Sequence, residues 1–394
     1  MYVTRPLSMY RENPSALSLP PPEGPNTGIL VIQDEGSEPR RFFGLFKSHE
    51  IKHLPIPQNK DIKLRYSTGT SNNNTSVEHF YAAFVPVLGQ PLSSNRYYAI
   101  KSRGSHKGEA YTCSTEDDLE ICCFCTFAPT LEPKPLHPRN IYQQFEIHHK
   151  GSFNQIGGFV AKSIAPDGFP PKFLGRKGWE IHTQSSSHDL NLREAPGLDT
   201  SLRAQLPNFN FPLSNRSSDP VVVGKWYCPF MFIKEGTPGD QMTRSMYYEM
   251  TLEQRWENIY ACENESAELG KGNSNSVVVD VPVGSKVAAI GGRQGGGVHE
   301  ERDGVRGLVW YKGDGISVGL SLVIVERMEW EVKRFGWVGG KEKEARVKKV
   351  EEVGEWKRFG CFVLVERFVL KRMDRSLVLT CDFRHTHQIR SRWE

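Results

Sequence analysis

Apolar and polar residues alternate with a period of two through two long segments near the C-terminus. In the first, Leu320, Leu322, Ile324, Met328, Trp330 and Val332 occupy even positions, while Arg327, Glu329, Glu331 and Lys333 occupy odd ones. In the second, Phe362, Leu364, Phe368 and Leu370 repeat the rhythm, with Arg367 and Lys371 opposite. Strand side chains point alternately to the two faces, so both segments predict long half-buried β-strands. The expected fold is mainly β, with antiparallel sheets or sandwich-like modules and few short helices; α+β remains an alternative. A last strand carries Leu377, Leu379, Cys381, Phe383 and Ile389 at odd positions. Turning the chain at Asp374 and Arg375 aligns the two apolar faces and pairs Leu370 with Leu379, Phe368 with Cys381, Glu366 with Phe383, Leu364 with His385 and Phe362 with His387.

The first half reads as short strands between loops: 28–33, 62–66, 80–87, 96–101, 109–113 and 144–148. The 67–76 stretch (STGTSNNNTS) predicts a mobile loop, and Pro20, Pro21 and Pro22 an extended arm. A short helix is expected over 199–205, capped by Asp199 and stopped by Pro207. A buried strand follows over 221–233, and its aromatic residues Trp226, Tyr227, Phe230 and Phe232 read as core. The 246–262 segment is ambiguous, because Thr251 and Gln254 form a capping box inside flanks that look like strand. Further strands are expected over 277–283 and 286–290, with flexible insertions at 267–275 and 291–304. Val325-Glu326-Arg327 recurs as Val365-Glu366-Arg367, which reads as similar strand chemistry and not as duplication.

A length of 394 residues exceeds one comfortable core. The Ser-, Asn- and Pro-rich stretch 185–220 then divides an N-terminal β-rich domain, 1–184, from a C-terminal antiparallel β domain, 221–394. The 25 prolines and 36 glycines favour turns and short strands. The net charge of +4 arises after residue 300, where Lys and Arg exceed Asp and Glu by about five. Signs are interleaved there, which points to a solvated face and away from a nucleic-acid stripe. No apolar run approaches the roughly 18 residues of a membrane helix, and the opening residues lack a secretory apolar core. The expected location is therefore cytosolic or nuclear. The eight cysteines are expected to be thiols, and the sequons at Asn74, Asn215 and Asn264 to stay unmodified.

Three constellations bear on chemistry. Glu366, His385 and His387 share the apolar face of the predicted hairpin. A carboxylate among imidazoles suits a metal or an acid–base pair, and equally a buried structural ion network. Cys122 and Cys125, near Cys113 and Cys123, have zinc-knuckle spacing but lack a second pair, with His148 and His149 the nearest substitutes. The Gly291–Gly297 run lacks the Lys-Ser/Thr of a phosphate loop. There is no G-x-S-x-G elbow and no H-E-x-x-H. Neither a cofactor nor a catalytic residue is expected from these signals.

The strings MYVTRPLSMY, LSLPPPEGPN, QPLSSNRYY, HKGEAYTCS, APDGFPP, EAPGLDTSLR, VVVGKWYCPFMFIKEG, SMYYEMTLEQRWENIYACEN, VGLSLVIVERMEWE and FVLVERFVLKRMD resemble a plant family known as domain of unknown function twelve sixty-two. The resemblance runs the length of the chain. It implies a land-plant protein linked to defence or stress responses, and it carries over no activity and no site residues. Some relatives bear an insecticidal-toxin label, which implies a β-rich pore-former. Three functions follow as expectations. The first is a non-enzymatic interaction or ligand-binding protein whose partner is a protein or small ligand; the second is a membrane-active, toxin-like β protein. The third is a metal-dependent enzyme using Glu366, His385 and His387.

Overall fold

The computed structural model describes residues 1–41, 46–69, 75–122, 125–150, 157–184, 190, 192–264, 276–292, 298–339 and 344–394. The asparagine loop near Asn72, the whole 267–275 insertion, the 293–297 part of the Gly-rich run and Cys123 lie outside them. The fold is mainly β, as the alternation predicts, with several antiparallel sheets and few helices.

The largest sheet runs in the order Lys286–Ile290, Leu377–Trp393, Arg358–Arg372, Tyr247–Glu263, Val221–Pro229, Tyr2–Pro6, Gly28–Ile32. Only the last pair is parallel. The first strand of the chain thus pairs with a strand from its second half, and the second strand pairs with the first. Leu370, Phe368, Glu366 and Leu364 face Leu379, Cys381, Phe383 and His385, as the hairpin argument predicts. Phe362 does not face His387. Val363 pairs with Ile389 and Leu364 with His385, so 386–388 form a bulge and Phe362 meets Arg390. The extra residues re-aim His387.

The 247–263 segment is a single strand, hydrogen-bonded along both edges. Its capping-box signal is overridden because Met250, Leu252, Gln254 and Trp256 all point into the core at period two. Opposite bias defeats the other expectation: the chain leaves the Ile316–Ser321 strand and forms a helix, Leu322–Arg334. Ile324, Met328, Glu331 and Val332 are buried at helical spacing, and Arg327–Glu331 forms an i,i+4 ion pair. Glu, Arg, Met and Lys are good helix formers, and the period-two pattern survives only by skipping Glu326.

A second, seven-stranded sheet is ordered Phe159–Ser163, Gln144–His149, Arg96–Lys101, Thr75–Pro86, Ile62–Gly69, Glu180–Thr183, Glu50–Ile51. Phe84, Tyr97, Phe145, Phe159 and Trp179 fill its own core. The expected strand at 109–113 is not regular: Ala110 bridges Ile100 and Lys134, and Cys113 N–H turns to the Tyr142 carbonyl. His299–Asp303 is a strand within the expected flexible insertion. Trp226, Tyr227, Phe230 and Phe232 are all core, as read from the sequence.

Candidate functional site

The Thr200–Gln205 helix begins where the sequence places it, with the Asp199 carboxylate accepting from Leu202 N–H at 2.9 Å. Its purpose in the fold is to deliver Arg203, which is 3% exposed, onto the inner face of the large sheet. Arg203 Nε and Nη2 donate to the two oxygens of Glu366 at 2.7 and 2.8 Å, and Nη1 and Nη2 reach Glu331 Oε1 and its carbonyl at 2.8 and 2.9 Å. Gln254 Nε2 adds a bond to Glu366 Oε1 at 3.1 Å, and His385 Nε2 lies 3.1 Å from Oε2. Arg327 Nη2 closes the set against Glu331 Oε2 at 2.7 Å. Gly24, at φ +114°, lies directly over the Arg327 guanidinium, where a Cβ would collide.

Two guanidiniums and two carboxylates balance in this cluster. A carboxylate has about four lone-pair sites, and those of Glu366 are filled by Arg203 twice, Gln254 and His385. Burial alone would push Glu366 up, but the bonds from His385 and Arg203 outweigh it and hold the carboxyl below the usual range. The ion cannot easily take up a proton, and it has no lone pair left for a metal. His385 is fully buried with Nδ1 unpartnered. His387 sits apart on the bulge, exposed, its ring centroid 5.6 Å from that of His385. The structure therefore brings Glu366 and His385 together, leaves His387 beside them, and adds Arg203, Glu331 and Gln254, which the sequence reading did not connect. Glu331 and Arg203 lie on helices far away in the chain, so no local pattern announces them.

The opposite face of the same strands carries an accessible cleft of about 1150 Å³. Its floor is built on residues two apart, where the strands alternate between core and solvent. Arg367 grips Asp382 through Nε and Nη2 at 2.5 and 2.8 Å. Arg255 Nη2 reaches Glu257 at 2.7 Å and Asp382 at 3.1 Å, and Arg384 donates to Glu257 at 2.6 and 3.0 Å. Burial favours protonation of Asp382, but Arg367, Arg255 and Arg384 overcome it and keep the carboxyl low. Arg255 Nε and Nη1 and Arg367 Nη1 have no bond among the described residues, and Arg216 stands exposed in the wall without an acidic partner among them. The signal for this cleft was legible: arginines at 255, 367 and 384 alternate with buried residues on three paired strands.

The other expected chemistry is dispersed. Backbone pairing puts Cys122 opposite Cys125 in a short hairpin, and their side chains lie outside the described residues. Cys113 is buried, and burial pushes its thiol up to about 11. His148 faces Glu146 at 3.0 Å, and His149 packs edge-on to Phe159. Among the described residues, no three His, Cys, Asp or Glu side chains come together as a metal site would require. No helix among them is long and apolar enough to cross a membrane.

The family model described as "Protein of unknown function (DUF1262)" matches residues 23–124, in keeping with the resemblance read from the sequence. No curated protein matches. Among solved structures, one titled "Crystal structure of Cry35Ab1" is similar at a TM-score of 0.44 and 11% identity, covering 85% of this chain and 90% of that one.

Proposed function

We propose that this member of an uncharacterised family is a non-enzymatic ligand-binding protein, and that the arginine-floored cleft takes a small carboxylate. The observation that carries the reading is the set of unspent guanidinium nitrogens on Arg255 and Arg367 beside the exposed Arg216. Guanidinium groups favour planar carboxylates because their N–H groups form a matching fork. The floor already holds Asp382 and Glu257 in this way, so an incoming carboxylate finds donors of the same kind. The saturation of Glu366 supports a binding role over metal-dependent catalysis at the buried cluster. A link to defence or stress belongs to the same proposal and rests on the sequence resemblance.

Calorimetric titration of the full chain with citrate tests the cleft. Arg216→Glu reverses a wall charge, and Val287→Trp fills the mouth from a residue that is 42% exposed. Each is expected to weaken binding by about tenfold, the equivalent of 1.4 kcal/mol. Citrate that fails to bind the wild type, or binds both variants equally well, would refute the assignment.

A further inference from the structure

The N-terminal sheet carries a second concavity, of about 590 Å³, with a different electrostatic character. On its outer face Arg65 lies opposite His79 and Lys63 opposite His182 in the strand pairing. Lys63 and Arg65 are two residues apart, so both project to this face. His49 is held at the rim by its carbonyl, which accepts Thr183 N–H at 2.7 Å. Among the described residues, no carboxylate belongs to the groove's own lining. Like charges placed opposite one another in a sheet are destabilising; Glu180 opposite Arg65 and Glu50 opposite His182 offset part of that cost. The nearest acid, Glu180, is 3.7 Å from Arg65 and 3.0 Å from His182. Asp61 is engaged by Gln184 at 2.7 Å and faces Arg103 at 3.8 Å. Neither Lys63 nor His79 has a hydrogen-bond or ion-pair partner among the described residues.

We infer that this groove binds a small molecule bearing a tetrahedral oxyanion, a phosphate or sulfate ester. Lys63 and Arg65 supply permanent charge, and His79 supplies a donor that gains a proton as the anion arrives. Thr183 and Gln184 offer polar contacts to the remainder of the ligand. A volume of this size exceeds that of a lone oxyanion and falls within the usual range of small-molecule pockets.

Protonation gives the inference a signature. Slight desolvation, then the charges of Lys63, Arg65 and His182, hold the exposed His79 below the usual imidazole value in the free protein. Three acids face these groups: Glu180 through Arg65 and His182, Glu50 opposite His182 in the strand pairing, and Asp61 through Gln184. A bound anion favours the charged imidazole, so binding takes up protons and tightens as pH falls. A sulfate ester stays fully ionised from pH 8 to pH 6, which isolates the protein's contribution.

The test is calorimetry of the full chain with a hexose 6-phosphate and a hexose 6-sulfate at both pH values. Binding of either ester, with the sulfate held about tenfold tighter at pH 6, is the expected result; which ester binds better identifies the source of the oxyanion. Lys63→Glu with Arg65→Glu should weaken binding by about tenfold or more, while Val287→Trp in the other cleft leaves it unchanged. Should the double variant fail to fold, Lys63→Gln and His79→Gln, both at solvent-accessible positions, are each expected to weaken binding about threefold. Absence of binding to the wild type at millimolar ester, affinity for the sulfate that ignores pH, or indifference to these substitutions would overturn the proposal.

Discussion

Arg203 is a buried cation shared by two buried carboxylates. It joins the linker region to Glu331 and Glu366, both fully buried. Arg203→Met leaves two carboxylates without their principal cation, and breaking such a pair costs about 3–5 kcal/mol. Adding Glu366→Gln to that variant removes one stranded charge, so the double variant should be less destabilised than the sum of the two singles, measured by urea unfolding. The same cluster sets an acid limb. Because Glu366 is held below its ordinary value of 4.5, its stabilisation is complete above that value and is lost as pH falls through the lower, folded one. Asp382 is depressed likewise from 3.8 and acts in the same direction. Glu366→Gln should therefore flatten the loss of stability below about pH 4.5, and an unchanged slope of melting temperature against pH would reject the linkage. The adjacency of Glu366 and His385 was readable from strand parity alone. Its partner Arg203 was not, because a buried ion pair between a short helix and a distant strand leaves no periodic trace.

At the scale of elements, one tripeptide adopts two structures. Val325-Glu326-Arg327 lies on a helix, whereas Val365-Glu366-Arg367 lies in a strand bonded along both edges. Local propensity favours helix in both places. What differs is the partner: 365–367 has a strand on each side, and 325–327 follows the last strand of a small sheet. Alternation was therefore decisive for 358–372 and misleading for 322–334, where buried positions recur at helical spacing as well. The element that binds the cluster to the sheet is the extended run after the 200–205 helix. Its Pro207 carbonyl accepts Trp256 Nε1 at 3.0 Å, and Phe209 meets Trp256 and Phe362 edge-on at 5.3 and 5.5 Å. Phe209 is only partly buried, so Phe209→Ala should cost about 2–3 kcal/mol, below the range for a fully buried phenylalanine. Trp256 would then be wetted, and its fluorescence should move to the red. A stability change without that spectral shift would mean the run does not shield Trp256.

The whole molecule places unlike chemistry on the two sides of one sheet: a dry, neutral ion cluster within, and a wet guanidinium floor without. That asymmetry also bears on membrane activity. A strand hairpin that enters lipid needs one apolar face of about 9–11 residues per strand and a polar face cheap to keep in a water-filled lumen. The ribbon formed by Ser276–Gly284 and Glu344–Glu352 has nine residues per strand and full register. Its inner face is broken by charge: Val277, Val279, Val283 and Val347 are buried, but Lys349 and Glu351 share that face and pair with one another. The outer face mixes the exposed Val278 and Val350 with the ion pair of Asp280 and Arg346 at 2.5 Å. Either face would carry charge into hydrocarbon, at about 2–4 kcal/mol for each Lys or Arg at the midplane. Several such charges outweigh the gain from a few valines, each worth about 1.5–3 kcal/mol when buried. The ribbon should therefore stay on the protein surface. Purified protein is expected to release no dye from zwitterionic or anionic vesicles between pH 5 and pH 8, and leakage that a Val278→Glu substitution abolishes would show that the ribbon inserts after all.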